Sequence, residues 1–90
     1  KVTNSLLLEK FLSSTGISTD TRKIEKGNLF FALKGPNFNA NILAKEALEK
    51  GASFAVIDDP EFDLGDKTLL VQDGLKALQD LSERGRLFKV

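Results

Sequence analysis

The stretch LFFALKGPNFNANILAKEALEKGASFAVID, residues 29–58, carries the clearest structural pattern in the sequence. It begins with an apolar run at 29–33 that is typical of a buried strand. After a loop at 34–39, helix-forming residues fill 40–50, and a second apolar run at 53–58 predicts another strand. A strand, a helix and a strand in this order usually lie with the two strands parallel, joined by a right-handed crossover. The stretch therefore predicts the centre of an α/β sheet.

Both ends of the central helix carry sequence signals. Asn39 is a good N-cap residue, and Phe38 and Leu43 have the spacing of a hydrophobic staple around it. Gly51 supplies the left-handed stop. The N–H groups at such a helix start attract anions such as phosphate. Here the amides of residues 40–42 would point at such an anion.

Weaker patterns on either side predict the remaining elements. They are a helix at 4–13 capped by Asn4 or Ser5, a strand at 17–19, a reversal at Gly27-Asn28, a strand at 68–72, and a helix after the cap Asp73 with Leu75, Leu78 and Leu81 facing inward. The predicted order is α-β-β-α-β-β-α. This order indicates a small, single-sheet α/β domain with helices packed on a mixed sheet.

Composition excludes several classes of protein and site. The chain has 90 residues, enough for one domain, and its 13 basic and 13 acidic residues cancel, so we expect no nucleic-acid partner. Cysteine and histidine are absent, which excludes disulfides, thiol nucleophiles and the commonest general base. Apolar runs are only a few residues long, so we expect no membrane partner. Because the sequence contains no methionine, we expect a processed chain or, preferably, a fragment.

Familiar catalytic motifs are missing from the chain. Neither GxGxxG nor GxxxxGK[ST] occurs, and no triad of the usual kind is possible without histidine or cysteine. The densest carboxylate cluster comprises Asp58, Asp59, Glu61, Asp63 and Asp66. Interpreted as a calcium loop from Asp59, it has Leu64 at the invariant glycine and Leu70 at the bidentate acid. A solvated acidic turn is therefore favoured over a metal site.

A basic stretch between Arg22 and Lys45 favours an anionic ligand. Polar side chains that could bind it lie in the segment ISTDTR, residues 17–22, and in the 34–39 loop: Thr19, Thr21, Arg22, Lys34 and Asn37. Each has a structural alternative. Asp20 and Arg22 could simply pair across a turn, Phe38 could be a staple and not a stacking platform, and the threonines could be exposed strand positions. Their convergence on two loops favours the ligand.

The segment STDTRKIEKGNLFFALKGPNFNANILAKEALEKGASFAVID resembles the amino-terminal domain of the Mur ligases, the ATP-dependent amino-acid ligases of peptidoglycan synthesis. The family pattern has Ser/Thr-x-Asp-Ser/Thr-Arg, then Gly-(Asp/Asn)-Leu-Phe-x-Ala-Leu-x-Gly, a segment like Phe-Asp-Gly-His, and an alanine-rich helix ending in Gly-Ala. These pieces correspond to 18–22, 27–35, 38–41 and 44–52. The later segment VQDGLKALQDLS also fits the family, and the resemblance extends over residues 17–84.

The resemblance implies that this domain binds the UDP end of a UDP-N-acetylmuramoyl-peptide. Thr19 and Thr21, with the loop 36–38, would contact the uracil and ribose, and Arg22 would lie near the diphosphate with the start of the 40–50 helix. The full implied set is Thr19, Thr21, Arg22, Lys34, Gly35, Pro36, Asn37, Phe38, Asn39 and Asn41. The resemblance implies no catalytic and no metal-binding residue in this chain, which should bind and not catalyse.

The resemblance also implies a larger cytoplasmic enzyme. Central and carboxy-terminal domains of the same chain would use ATP and magnesium to form an acyl-phosphate on the substrate carboxylate and transfer it to an amine. Members that add D-alanyl-D-alanine to the tripeptide are most similar, and members that add the third residue, diaminopimelate or lysine, are the close alternative. An independent nucleotide-sugar binding module and a structural domain that binds nothing are further alternatives.

Overall fold

The computed structural model describes the backbone of residues 1–88 and the side chains of residues 1–84. Its helices are α1 (Asn4–Leu12), α2 (Ala44–Glu49) and α3 (Gly74–Phe88), and its strands are β1 (Ile17–Ser18), β2 (Leu29–Phe31), β3 (Phe54–Ile57) and β4 (Thr68–Leu70). Short 3-10 segments cover Thr21–Lys23, Ala40–Leu43 and Pro60–Phe62. The predicted order of helices and strands is confirmed. Within the described residues, no helix has the length and apolar character needed to cross a membrane.

The four strands are all parallel and lie in the order β1-β2-β3-β4. The predicted mixed sheet is therefore wrong. Gly27 does turn the chain, with φ of 87° and its N–H bonded to the Gly51 carbonyl at 2.8 Å, but it leads from a crossover into β2 and closes no hairpin. The connections 19–28 and 58–67 each return the chain to the edge of the sheet where the preceding strand began.

Both faces of the sheet are buried. Because side chains alternate along a strand, Leu29 and Phe31 of β2 join the hydrophobic cluster beneath α1 and α3, whereas Phe30 joins the cluster beneath α2. All three side chains are fully buried. A strand covered on both faces reads as a continuous apolar run, which is why β2 was evident from the sequence.

The helix α1 begins at Asn4, whereas a cap at Asn4 or Ser5 would place its first residue at 5 or 6. Thr3 is the N-cap, and its Oγ1 accepts a hydrogen bond from the Leu6 N–H at 3.1 Å. The prediction of Asn4 or Ser5 as the cap is wrong, because both residues already lie inside the helix. Thr3 is extended, and its hydroxyl accepts from an N–H group in the first turn, as a capping Asn or Ser would.

The start of α3 follows the prediction, but its buried face differs. Asp73 Oδ1 accepts from the Lys76 N–H at 3.1 Å, which confirms the cap. Leu81 is buried and Leu78 packs beside it, whereas Leu75 is 53% exposed, so the prediction that Leu75 faces inward is wrong. A helix rotates about 100° per residue, which places Leu75 about 120° around the helix from Leu81.

The segment that leads into α2 is tighter than predicted. Asn39 caps it, as expected, by accepting from the Asn41 N–H at 3.0 Å, but the first turn is 3-10 and α2 proper starts at Ala44. Phe38 stays 54% exposed, and its staple contact with Leu43 stays a prediction. Gly51 ends the helix with a positive φ of 114°, as predicted.

Candidate functional site at the carboxyl edge of the sheet

Parallel strands place all their carboxyl ends at one edge of the sheet. In open α/β sheets this edge is where ligands usually bind. The two polar segments singled out from the sequence follow β1 and β2, which pair directly with each other. The strands from which the two segments emerge are therefore neighbours in the sheet, whereas a shared ligand site between the segments stays a prediction.

The 34–39 loop is a short, closed turn on the surface. Lys34 and Asn39 form an isolated antiparallel bridge, and the Gly35 N–H donates to the Phe38 carbonyl at 2.8 Å. Residues 34–38 are all exposed. The turn therefore presents an aromatic ring and the Asn37 amide together, and these groups can stack on a planar ring and hydrogen-bond to its edge.

The amides at the helix start are already bonded within the protein. Ala40 donates to the Leu33 carbonyl at 3.3 Å, and Ile42 donates to the Asn39 carbonyl at 3.3 Å. The Asn41 N–H is taken by the cap. The prediction that these three amides point at a phosphate is therefore wrong, because Leu33 and Asn39 accept all three of their hydrogen bonds.

Asn41 lies behind the surface loop and is only 1% exposed. Its Nδ2 donates to Asn39 Oδ1 at 2.7 Å and to Asp58 Oδ1 at 2.9 Å, and its Oδ1 accepts from the Asp58 N–H at 2.9 Å. The side chain thus joins the end of the loop to the end of β3. Direct contact between Asn41 and a ligand stays a prediction from the resemblance.

The segment after β1 is organised around an ion pair. Asp20 Oδ1 accepts from both the backbone N–H and the Nε of Arg22, at 2.9 and 3.1 Å, and its Oδ2 accepts from Nη2 at 2.9 Å. These hydrogen bonds lower the pKa of Asp20 from 3.8 to about 2, and they raise the pKa of Arg22. The Arg22 side chain is 84% exposed, so the pair forms across the turn while the guanidinium stays accessible.

The two threonines of this segment differ in position. Thr19 is exposed, whereas Thr21 is buried and its carbonyl accepts from Lys50 Nζ at 3.1 Å. Lys50, and after it the Thr21 hydroxyl, lower the pKa of Glu46. Thr21 therefore lies beside the carboxyl-terminal half of α2.

The 34–39 loop adjoins the other end of the same helical segment. From Ala40 to Glu46 the chain rises by about 10 Å along the axis, from the rise per residue of 3-10 and α turns. The segment 17–22 and the loop 34–39 therefore lie at different positions along the axis of this helical segment. They do not both surround its first turn. A ligand that contacts both must be elongated.

The acidic cluster is used to shape turns. Asp59 Oδ1 accepts from the Glu61 N–H at 3.0 Å. Asp63 Oδ1 accepts from the Gly65 N–H at 2.9 Å and the Thr68 hydroxyl at 2.6 Å, and these bonds lower the pKa of Asp63. Among the described residues, no group of three or more potential ligands could hold a metal ion.

Sequence reasoning missed the role of Asp58, which it counted only as a member of that cluster. Its carboxylate accepts from Asn41 and, at 2.9 Å, from the N–H of Gly74, the first residue of α3. The signal available was an aspartate directly after a buried strand in an α/β pattern, where it reaches the same edge as the other loops.

Comparison with known proteins finds ligases that act on UDP-N-acetylmuramoyl peptides among the relatives of this chain. The chain is 37% identical over 70 residues to the UDP-N-acetylmuramoyl-tripeptide–D-alanyl-D-alanine ligase of Bacillus subtilis, covering 76% of this chain and 15% of that protein. The same ligase of Synechocystis is 37% identical over 77 residues, covering 83% and 17%. The UDP-N-acetylmuramoyl-L-alanyl-D-glutamate–2,6-diaminopimelate ligase of Rickettsia typhi is 32% identical over 68 residues, covering 76% and 14%. No protein-family model matches.

Solved structures agree with these relatives. The MurF ligase of Thermotoga maritima, in complex with ADP, shares the fold with a TM-score of 0.72 at 23% identity, over 82% of this chain and 17% of that one. A second crystal structure of MurF from Acinetobacter baumannii gives 0.71 at 26% identity, over 94% and 21%. The chain spans only 14 to 17% of the length of the curated relatives described above. The shared sequence and the shared parallel fold show that the chain belongs to the Mur ligase family, as a domain of the amino-terminal type.

Proposed function

We propose that this chain is the UDP-substrate-binding domain of a larger ATP-dependent ligase that adds D-alanyl-D-alanine to a UDP-N-acetylmuramoyl-tripeptide in peptidoglycan synthesis. The observation that carries the proposal is the 37% identity to ligases with that activity from Bacillus subtilis and Synechocystis. Two accessible polar loops at the carboxyl edge of the sheet support a binding role.

The proposed ligand suits the separation of those loops. A uridine diphosphate is elongated, with a flat base at one end and two phosphates at the other. The exposed turn at 36–38 would contact the uracil and ribose together with Thr19 and Thr21. Arg22, held by Asp20, would neutralise the diphosphate, since a guanidinium matches phosphate oxygens in geometry and charge.

The chemistry of the complete enzyme is proposed to lie in other parts of the protein. The central and carboxy-terminal domains would hold ATP, magnesium and the incoming amine, and ATP would activate the substrate carboxylate. The described residues offer neither a glycine-rich phosphate loop nor a set of metal ligands, so they do not fit these groups. We derive no catalytic step from this chain, whose proposed part is to hold the substrate. The cytoplasmic location is proposed on the resemblance alone.

A second candidate is the ligase that adds diaminopimelate, or lysine, as the third residue. The 32% identity to the Rickettsia typhi diaminopimelate ligase favours it. Two assays of the complete protein that contains this chain separate the candidates, each with ATP: one supplies the UDP-N-acetylmuramoyl-tripeptide and D-alanyl-D-alanine, and the other supplies UDP-N-acetylmuramoyl-L-alanyl-D-glutamate and either diaminopimelate or L-lysine. Turnover with D-alanyl-D-alanine supports the first, and turnover with either amino acid supports the second.

Titration of the ¹⁵N-labelled 90-residue chain with UDP tests the binding role. We expect weak binding, with amide shifts at Thr21, Asn37 and Asn41. CDP should bind less tightly than UDP if the domain recognises the base. UMP should bind less tightly than UDP if the domain recognises the diphosphate. Absence of shifts at millimolar UDP would contradict the proposed function and leave the structural-domain alternative.

A further inference from the structure

Asp58 links helix starts that lie on opposite faces of the sheet. Its Oδ2 accepts from the N–H of Gly74, which opens α3 on one face. Its Oδ1 accepts from Nδ2 of Asn41, in the 3-10 segment that leads into α2 on the other face. A carboxylate that accepts from the first N–H of a helix is also in a favourable electrostatic position. The link passes over the carboxyl edge of the sheet.

The orientation of the Asn41 amide is fixed by its surroundings. Its oxygen faces a donor, the Asp58 N–H at 2.9 Å, and its nitrogen faces two acceptors, Asp58 Oδ1 and Asn39 Oδ1. If the oxygen and nitrogen of the Asn41 amide were exchanged, its NH₂ group would face the Asp58 N–H, and two donors would meet. One arrangement of the side chain therefore satisfies every polar atom at this buried position.

Asn39 connects the fixed Asn41 side chain to the 34–39 loop. It is the last residue of the 34–39 loop and forms the antiparallel bridge with Lys34 that closes it. Its side-chain oxygen receives both the backbone N–H and the Nδ2 of Asn41. A continuous series of hydrogen bonds, here called the edge network, thus joins four residues: Gly74, Asp58, Asn41 and Asn39.

We propose that Asp58 is a positioning residue for the ligand-binding loop. It acts through Asn41 and Asn39, and it holds the 34–39 loop in the conformation that presents its exposed turn. Its part in UDP binding rests on the proposed function, whereas its effect on the loop does not. Asp58 itself does not contact the ligand.

Replacement of Asp58 by asparagine isolates this role, because the side chain keeps its size. Two N–H donors, from Asn41 and Gly74, then compete for one oxygen, and one of them faces an NH₂ group. The 34–39 loop then spends less time in its closed conformation, because one hydrogen bond that holds it is lost. The apparent affinity for UDP falls in proportion to the fraction of molecules with a closed loop, by about tenfold.

The experiment compares Asp58→Asn with Asp63→Asn in the 90-residue chain. Asp63→Asn is a control for the loss of charge, because both hydrogen bonds of Asp63, from Gly65 and Thr68, go to Oδ1, which asparagine keeps. Asp63 lies by Thr68, at the amino end of β4 and thus at the opposite edge of the sheet. The measurements are amide exchange at Gly35 and Ala40 without ligand, the UDP dissociation constant, and the melting temperature.

A second variant covers the case in which Asp58→Asn does not fold. In Gly74→Ala the new Cβ would lie 3.3 Å from Asp58 Oδ2 and 3.2 Å from the Ala32 carbonyl, so it presses on the carboxylate without removing a polar group. Alanine also favours the helix, which offsets the crowding. We expect faster exchange at Gly35 with little loss of thermal stability.

The expected result is about tenfold faster exchange at Gly35 and Ala40 and about tenfold weaker UDP binding in Asp58→Asn, with Asp63→Asn unchanged in both. Equal loop exchange and equal affinity in Asp58→Asn and Asp63→Asn would overturn the proposal. If Asp58→Asn does not fold, unchanged Gly35 exchange in Gly74→Ala overturns it. If the unsubstituted chain does not bind UDP, the proposed function fails, while the exchange comparison still decides the positioning role.

Discussion

The guanidinium of Arg22 forms two side-chain hydrogen bonds with the Asp20 carboxylate, Nε to Oδ1 at 3.1 Å and Nη2 to Oδ2 at 2.9 Å. The two residues are separated by a single position in the sequence, and Asp20 also caps the turn by accepting from the Arg22 backbone N–H. This pair therefore fixes the direction of an exposed cation in the segment that follows β1.

The pair predicts an unusually acidic carboxyl group. Asp20 should titrate with a pKa of about 2, and in Arg22→Ala its pKa should return towards 3.8, because Arg22 is the largest cause of the shift. Since the folded pKa lies below the unfolded one, the associated stability is present above about pH 4 and is lost as pH falls towards 2. Carbon-detected NMR titration of the Asp20 carboxyl measures this. Lys23→Ala should move the pKa much less, and an equal effect of the two variants would contradict the assignment.

Arg22→Ala should weaken UDP binding about tenfold, because charge-assisted hydrogen bonds to phosphate are strong. The melting temperature should change little, since the Arg22 side chain is largely exposed. Isothermal calorimetry on the 90-residue chain gives the dissociation constant. Lys23→Ala removes the same charge from the next residue and serves as the control. Unchanged affinity in a folded Arg22→Ala variant would argue against contact with the diphosphate.

The buried face of α3 can be tested with two leucines on the same helix. Leu81→Ala should lower the free energy of unfolding by about 2–5 kcal/mol, because the side chain is 2% exposed in the core. Leu75→Ala should cost less than about 1 kcal/mol, because more than half of that side chain is exposed. Urea unfolding of both variants provides the values. Similar losses in the two would mean that the helix is rotated from the orientation described.

Gly51 should tolerate alanine less well than Gly65. Both have a positive φ, 114° and 99°, so both substitutions strain the backbone by about 1–2 kcal/mol. At Gly51 the new Cβ would also lie 3.3 Å from the Lys26 Cα, whereas nothing lies within 4 Å at Gly65. Thermal unfolding should therefore show a lower melting temperature for Gly51→Ala. The opposite order would show that the approach of Lys26 to Gly51 is not important for stability.

Local signals were sufficient for the elements and for the two loops. The buried strand β2, the cap Asn39 and the stop at Gly51 each depend on a few neighbouring residues, and each is confirmed. Strand direction was not accessible in this way, because Gly27 has a turn conformation that serves a hairpin and a short crossover equally well.

The candidate site was only partly predictable for a related reason. The prediction of an anion site at residues 40–42 failed because the amides there donate to Leu33 and Asn39, acceptors that the closed loop brings to them. The edge network was missed because Asn41 and Asp58 are 17 residues apart and meet only after the sheet forms. Contacts of that kind depend on tertiary structure, on which local spacing gives no information.

The strands at the two margins of the sheet are short: β1 comprises only Ile17–Ser18 and β4 only Thr68–Leu70. A margin of that length offers few backbone groups to which a strand from another molecule could hydrogen-bond. Short strands at both margins therefore protect the sheet from edge-to-edge aggregation, and at β4 the N–H of Val2 also occupies the Leu70 carbonyl, to which it donates at 2.8 Å.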